Sequence, residues 1–264
     1  MDLRLKDKIV LVTGGSKGIG FRIVRAFLEE GCHVAFCARS GEDLQRAAEQ
    51  LKSEFSWVTP VQCDVCKPED ASQFVNQSAA ELGGIDILVN NVGSSVGGNL
   101  LESSDEDWKR TYEVNLFQII RMIRLIVPHM RERGGGSIVN VASISGWEPQ
   151  LAAKGQYGSS KAAIIFLTER LALELVHYNI RVNTVSPGFI IWQGGVWDDF
   201  RKEHPESFAT YVREGFPMGR LGRPEEVADV IVFLASPRAN WINGRHIAVD
   251  GLEQPNPLDM HKTW

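Results

Sequence analysis

The stretch Thr-Gly-Gly-Ser-Lys-Gly-Ile-Gly at residues 13–20 decides the fold. It directly follows an apolar run at 9–12 and precedes residues whose apolar positions recur at helical spacing. A glycine-rich turn between a strand and a helix can bind the phosphates of a dinucleotide, because the N–H groups and dipole of the helix attract anions. We expect Gly14 to allow the tight turn, Gly18 to admit a pyrophosphate, and Gly20 to let helix and strand pack closely.

Along the whole chain, seven short apolar runs alternate with longer stretches of helical periodicity. Runs that are apolar at nearly every position suit strands buried on both faces of a parallel sheet. The sequence therefore predicts an α/β fold: a doubly wound Rossmann sheet of seven mostly parallel strands with helices on both faces. The predicted strands cover residues 9–12, 34–37, 58–61, 87–89, 138–141, 182–185 and 246–249.

Two helix starts are readable from their capping residues. Ser40 followed by Asp43 predicts a capping box at the second helix. Ser104 can cap the fourth helix, which we expect to run on towards Pro128.

The chain is predicted to form one Rossmann domain over residues 1–264, since no Pro-, Gly- or Ser-rich linker divides it. Residues 192–223 hold six aromatic side chains and are expected to form a helical insertion over the substrate site. The tail at 252–264 is polar and contains proline. We expect it either to be disordered or to reach a neighbouring subunit.

Composition narrows the functional class. The formal net charge is −5 and no basic stripe stands out, which argues against a nucleic-acid partner. No apolar run is long enough to cross a membrane and the N-terminus lacks a signal segment, so we expect a cytoplasmic protein. Cys63 and Cys66 form a C-x-x-C without a second ligand pair, so we expect reduced thiols and no metal site.

Tyr157 and Lys161 form the candidate catalytic pair. Residues four apart lie on one face of a helix, and an ammonium beside a phenol favours the tyrosinate. We therefore expect the pKa of Tyr157 to fall from about 10 towards neutrality, where it could serve as a general acid/base.

Several motifs together resemble the short-chain dehydrogenase/reductase family. They are the T-G-x-x-x-G-x-G spacing at 13–20, Asn-Asn-Val-Gly at 90–93 and Tyr-Gly-Ser-Ser-Lys at 157–161. Asn-Thr-Val-Ser-Pro-Gly at 183–188 and Val-Asp-Gly at 249–251 extend the resemblance over essentially the whole chain. The likeness to 3-ketoacyl-acyl-carrier-protein reductases within the family is generic.

The resemblance implies two further catalytic residues. Ser143 would polarise the substrate carbonyl, with Ser145 as the fallback. Ser143 precedes Tyr157 by 14 positions, one more than in the family, and we expect the extra residue within 147–155. Asn115 would hold a water that relays protons to Lys161.

The cofactor is predicted to be NADP(H). An acidic residue at the end of the second strand would select NAD, but Arg39 stands there, and Lys17 adds a second cation for a 2′-phosphate. For Asn91, structural support is as good an interpretation as cofactor contact. Tyr157 and Lys161 are also expected to contact the cofactor, and the other contacts implied by the resemblance are Ser16, Ile19, Ser40, Asp64, Val65, Asn91, Gly93, Pro187, Gly188 and Ile190.

One position departs from the family. Trp192 stands where a Thr often touches the nicotinamide carboxamide, so that contact is in doubt and Trp192 could narrow the pocket instead. The aromatic insertion suggests a small, largely apolar or ring-containing substrate, although such residues are also ordinary packing residues.

We therefore predict an NADP(H)-dependent enzyme that interconverts a ketone and a secondary alcohol. The alternatives are an NAD-dependent alcohol or sugar dehydrogenase and, in another class, a catalytically silent nucleotide-binding sensor or scaffold. The family resemblance implies a homotetramer, or a homodimer, and apolar stretches at 119–127 and 162–175 permit such contacts.

Overall fold

A computed structural model describes residues 1–149 and 153–253, so the predicted tail falls outside it from residue 254 on. Seven parallel strands form one sheet in the order β3-β2-β1-β4-β5-β6-β7. The predicted doubly wound fold and all seven strands are confirmed. The strands are β1 Ile9–Thr13, β2 His33–Ala38, β3 Val58–Gln62, β4 Ile87–Asn90, β5 Gly136–Val141, β6 Ile180–Pro187 and β7 His246–Val249.

Helices cover both faces of the sheet, and the strands alternate between them with a period of two. Val10 and Val12 pack into one core cluster and Leu11 into the other, and all three are fully buried. The helices are α1 Gly18–Glu29, α2 Gly41–Lys52, α3 Pro68–Leu82, α4 Asp105–Tyr112, α5 Gln118–Glu132, α6 Gly155–Leu175, α7 Val196–Glu203, α8 Pro205–Gly215 and α9 Pro224–Ala235. Within the described part of the chain, no helix is long and apolar enough to cross a bilayer.

The strand order reverses between β1 and β4, which leaves a crevice at the carboxyl ends of these strands. The glycine-rich turn, the segments after β4 and β5, and the segment 192–223 with α7 and α8 all leave the sheet at this edge. The residues singled out in the sequence therefore converge on one end of the sheet.

The predicted fourth helix does run on past Pro128, since helical residues follow one another from Asp105 to Glu132. The sequence did not predict that a π-helical turn, Glu113–Phe117, lies between α4 and α5. Asn115 lies in this turn, and its side-chain amide donates to the backbone carbonyl of Thr111 at 2.7 Å. Such single-turn π segments are often found at functional sites.

A buried polar ladder fastens α6 to the sheet. The Asn90 amide of β4 donates to Asn140 Oδ1 of β5 at 2.9 Å, and the Asn140 amide donates to Thr168 Oγ1 of α6 at 3.0 Å. Thr184 of β6 donates its hydroxyl to the same Thr168 oxygen at 2.6 Å. All four side chains are at most 1% exposed. Because α6 also carries Tyr157 and Lys161, this ladder positions both relative to the sheet.

The ladder predicts the effect of Thr168→Val. The change keeps the shape but leaves the Asn140 amide and the Thr184 hydroxyl unpaired, and each buried unpaired group costs about 1–3 kcal/mol. We expect the free energy of unfolding in urea to fall by about 2–6 kcal/mol. Thr168→Ser keeps the acceptor and should lose only about 1 kcal/mol. Equal losses for the two variants would contradict a stabilising role of the ladder.

Candidate active site

The glycine-rich turn forms a cradle whose shape excludes side chains. Gly14 and Gly18 have left-handed φ angles of +70° and +52°. A Cβ on Gly20 would lie 2.0 Å from the Gly14 carbonyl oxygen, so only glycine permits this turn. In the described residues no side chain caps the start of α1 at Lys17. The N-terminal N–H groups of α1 and the close backbone approach therefore fit the pyrophosphate of a dinucleotide.

Asn91 holds this cradle against β4. Its side-chain amide donates to the carbonyl oxygens of Gly14 at 3.0 Å and Thr13 at 3.2 Å. Its backbone N–H donates to Thr13 Oγ1 at 3.0 Å. These bonds favour structural support, one of the two interpretations that the sequence left open for Asn91.

Asp43, which the sequence predicted only as part of a helix cap, lies in the segment after β2 and has a second interaction. The Asp43 carboxylate forms an ion pair with Lys17 at 2.8 Å, and the hydrogen bond from Lys17 is the main reason why the pKa of Asp43 lies below its usual value. Ser40 accepts a hydrogen bond from the Asp43 N–H at 3.2 Å and caps α2. Arg39 is exposed and has no ion pair within 1–149 and 153–253. Arg39 is thus the cation available here, while Lys17 is shared with a carboxylate.

The segment after β3 uses its polar groups locally. Asp64 Oδ1 accepts the N–H of Cys66 at 3.1 Å, and the Val65 side chain is buried in the core. The Val65 carbonyl accepts a hydrogen bond from Arg121 at 2.9 Å. These hydrogen bonds therefore stabilise the turn after β3.

Ser143 and Tyr157 lie near each other at the end of β5. The hydroxyl of Ser143 interacts with that of Tyr157, and Ser143 Oγ accepts the N–H of Ser145 at 3.2 Å. Ser143, and not the fallback Ser145, is therefore the serine whose side chain meets Tyr157. Of the loop 147–155, where we expect the extra residue, positions 150–152 lie outside the described residues.

The expected lowering of the Tyr157 pKa was wrong for this arrangement. Burial raises the pKa of Tyr157 above its usual value, and the hydrogen bond with Ser143 only partly offsets it. The Lys161 ammonium lies 5.6 Å from the centroid of the Tyr157 ring and donates to the Val141 carbonyl at 3.0 Å. Burial lowers the pKa of Lys161 to about 7, so the amine titrates near neutrality.

Gly93 and Asn115 close the site behind Lys161. A Cβ on Gly93 would lie 2.9 Å from Lys161 Nζ and 3.0 Å from Asn115 Oδ1. Asn115 is fully buried, accepts the Ser94 N–H at 3.2 Å and donates to the Ser94 carbonyl at 2.6 Å. Asn115 therefore fixes the loop after β4 against Lys161.

The segment after β6 brings Trp192 onto the glycine-rich turn. The Gly188 N–H donates to the Val249 carbonyl at 3.0 Å, and Ile190 is buried with only 4% exposed. A Cβ on Gly18 would lie 2.8 Å from the indole of Trp192. The indole of Trp192 therefore packs on the glycine-rich turn at Gly18.

The cysteines form no disulfide, and all four are free thiols. Burial raises the pKa of Cys66 to about 11, which keeps this thiol protonated and weakly nucleophilic. Among the residues in 1–149 and 153–253, no group of His, Cys, Asp or Glu is arranged to hold a metal ion.

Comparison with known proteins places this geometry in a family. The family model described as "Enoyl-(Acyl carrier protein) reductase" matches residues 14–251. The chain is 36% identical over 250 residues to dehydrogenase/reductase SDR family member 4 of Mus musculus, covering 94% of this chain and 87% of that protein. It is 34% identical over 249 residues to the 3-oxoacyl-[acyl-carrier-protein] reductase of Thermotoga maritima, covering 94% and 98%.

Solved structures agree. L-sorbose reductase from Gluconobacter frateurii, complexed with NADPH and L-sorbose, superposes with a TM-score of 0.88 at 36% identity, covering 95% of this chain and 98% of that one. A 7α-hydroxysteroid dehydrogenase complexed with NADH and 7-oxo glycochenodeoxycholic acid gives 0.87 at 28% identity, covering 97% and 98%. The chain belongs to the short-chain dehydrogenase/reductase family of oxidoreductases.

Proposed function

We propose that this chain interconverts a ketone and a secondary alcohol with NADP(H), using Tyr157 as the general acid/base. The observation that carries the proposal is the contact between the hydroxyls of Tyr157 and Ser143 at the carboxyl edge of the sheet, with buried Lys161 behind them. Two hydroxyls that converge on one point can hold a carbonyl oxygen between them.

The residues around the crevice would hold the dinucleotide along its length. Gly14, Ser16, Gly18 and Ile19 would face the pyrophosphate, Arg39 and Ser40 a 2′-phosphate, and Lys161 the nicotinamide ribose. The turn after β6 would face the nicotinamide. When bound, this group supplies hydride to the carbonyl carbon or accepts it from the carbinol carbon.

The protein's own part is to hold the carbonyl and to move one proton. Ser143 donates a hydrogen bond to the carbonyl oxygen as negative charge develops there. Tyr157 transfers its Oη proton to that oxygen, which becomes the hydroxyl of the alcohol. The Lys161 ammonium favours the tyrosinate that remains, and Asn115 holds the adjoining loop in place.

The NADP(H) preference rests on Arg39, which is exposed and free of carboxylate partners in the described residues. The NADPH complex of L-sorbose reductase is in keeping with it. An NAD-dependent alcohol or sugar dehydrogenase is the second candidate, because the Asp43 carboxylate neutralises Lys17 at this site and the hydroxysteroid dehydrogenase holds NADH. A silent nucleotide sensor would not require the Ser143–Tyr157 contact.

We also propose that the chain assembles as a homotetramer, or a homodimer, through α6. Phe166 and Leu173 stand seven residues apart on α6, and 76% and 71% of their surfaces are exposed. Phe117, in the neighbouring π-helical turn, is 46% exposed. Apolar surface of this kind on one helix face is typical of an interface, and sedimentation velocity would show whether the chain is instead a monomer.

The mechanism predicts the effect of Tyr157→Phe. Without the phenolic proton, ketone-dependent oxidation of NADPH should fall by about 10²–10⁴-fold, the usual contribution of general acid/base catalysis. NADPH binding, followed by fluorescence titration, should change little. Tyr178→Phe, on the opposite edge of the sheet, is the control and should keep full turnover. Near wild-type turnover by Tyr157→Phe would contradict the mechanism.

Lys161 predicts a pH dependence of ketone reduction. A lysine is charged below its pKa, so Lys161 loses its proton as the pH rises through about 7. Tyr157, whose pKa is raised, stays protonated over this range and remains a proton donor. We expect kcat/KM for reduction to fall through this pH. Lys161→Arg keeps its charge and should move the fall to higher pH; an unshifted fall in that variant would show that another group titrates.

The assignment of Arg39 to the 2′-phosphate predicts that this residue sets the preference for NADPH over NADH. Arg39→Ala removes a charge-assisted bond worth about 1.5–3 kcal/mol, so NADPH affinity should fall about tenfold or more while NADH affinity stays unchanged. Arg46→Ala is the control, because Arg46 pairs with Glu42 at 2.9 Å on the same α2 helix. Both affinities can be measured by fluorescence titration. Equal losses for the two cofactors would refute the assignment of Arg39 to the 2′-phosphate.

A further inference from the structure

A carboxylate with one unused oxygen lies buried next to the turn after β6. Glu253 is only 4% exposed, and its Oε2 accepts the Phe189 N–H at 2.8 Å. Its Oε1 is buried and has no hydrogen-bond partner in the described structure. A Cβ on Gly188 would lie within 2.5–2.7 Å of this carboxylate, so the glycine makes room for it.

The Tyr211 hydroxyl is a second buried polar atom that has no hydrogen-bond partner among the described residues. The Tyr211 ring packs 6.0 Å from the ring of Phe189, the residue that binds Glu253 through its N–H. Trp197 stacks on Tyr211 at 5.3 Å, and Phe216 meets it edge-on at 5.4 Å. Tyr211 and the residue that binds Glu253, Phe189, therefore belong to one cluster of aromatic side chains. Buried polar groups are nearly always hydrogen-bonded, so two such atoms in one place need an explanation.

The pair lies at the same edge of the sheet as Ser143. Val141 of β5 is in register with Val185 of β6, so Ser143 and Pro187 leave the sheet at the same level. Pro187 is in turn in register with Val249 of β7, four residues before Glu253. Glu253 therefore lies at the same carboxyl edge of the sheet as Ser143, and α8, which carries Tyr211, follows β6 at this edge. Neither residue takes part in the proton transfer described above.

The chemistry of the pair selects an uncharged partner. Burial raises the pKa of Glu253 to about 8, and Asp250 and Glu148 add to this; burial and Glu253 also raise the pKa of Tyr211. The acidic surroundings disfavour an anion. An ammonium could donate to Glu253 but would offer no acceptor to the Tyr211 hydroxyl. A hydroxyl group both donates and accepts, so it satisfies both atoms at once.

We propose that Glu253 and Tyr211 form a subsite that binds a hydroxyl group of the substrate, so that the preferred substrate is a ketone carrying a hydroxyl away from its reacting carbonyl. The inference rests on the proposed function and names its substrate class. A site built to bind a hydroxyl discriminates strongly against an analogue that lacks it, because its buried polar groups are then left unpaired.

The test compares matched ketones with saturating NADPH. Suitable sets are cyclohexanone with its 3- and 4-hydroxy derivatives, and 2-hexanone with its 5- and 6-hydroxy derivatives. We expect kcat/KM of the wild type to be about tenfold or more higher for at least one hydroxylated member than for its parent ketone. This preference should shrink to within about threefold in Tyr211→Phe and in Glu253→Met, with the parent ketone little affected in Tyr211→Phe.

Tyr211→Phe separates a substrate contact from a structural one. It removes a hydroxyl that has no hydrogen-bond partner in the described part of the chain, so its Tm should equal or exceed that of the wild type. Tyr112→Phe is the control: its hydroxyl donates to Ser159 at 3.0 Å, so its Tm should fall while the hydroxyl preference stays. Glu253→Met can fold less stably because it also loses the Phe189 bond, which makes Tyr211→Phe the deciding variant.

Three results would overturn the inference. Turnover by the wild type without a hydroxyl preference would contradict it and leave the proposed function standing. A preference that survives in Tyr211→Phe would also contradict it, as would a lowered Tm of that variant with equal losses on all ketones. Failure of the wild type to reduce any ketone would contradict the proposed function and this inference together.

Discussion

The burial of the Lys161 amine is the constraint on which the rest of the site depends. Only 2% of this side chain is exposed, and a charge so far from water needs close polar partners. The Val141 carbonyl at the end of β5 accepts from it, and Gly93 lets the backbone after β4 come against it. A Cβ on Gly146 would lie 2.5 Å from the Lys161 backbone, so the turn after β5 also packs directly on α6. The end of β5, the loop after β4 and the turn after β5 therefore all pack around Lys161.

The same constraint explains why the site is rigid where the chemistry occurs. The ladder from Asn90 through Asn140 to Thr168 ties α6 to the sheet two helical turns beyond Lys161. Asn115 ties the loop after β4 to the π-helical turn by bonds to Ser94 and Thr111. Tyr157 and Ser143 therefore meet through elements that cannot shift independently, which is what positioning a carbonyl oxygen requires.

The sequence predicted the fold and the main members of the site because these depend on local patterns. Apolar runs locate the strands, and the spacing of glycines locates the turn with Gly14 and Gly20. It did not predict the π-helical turn around Asn115, because the helical pattern continues through both flanking helices without a break. It also missed the pairing of Lys17 with Asp43 and the raised pKa of Tyr157, since both arise from distances and burial that only the packed chain defines.

The proposed substrate site, too, could be predicted from the sequence only in part. The aromatic residues of 192–223 suggested either an apolar substrate site or ordinary packing, and in the structure Trp197 and Phe216 pack against the ring of Phe189. Nothing in the sequence indicated that Glu253, 64 residues after Phe189, would lie buried against it. The proposed substrate site therefore combines aromatic side chains with one polar subsite, formed by Glu253 and Tyr211.

The central claim, hydride exchange between a nicotinamide and a carbonyl carbon next to Tyr157, is tested most directly by isotope transfer. NADPH deuterated at both C4 positions is incubated with the protein and a reducible ketone, and the alcohol is analysed by mass spectrometry and NMR. We expect one deuterium on the carbinol carbon of the product. A carbinol hydrogen taken from solvent, or NADPH that binds but is not oxidised, would contradict it.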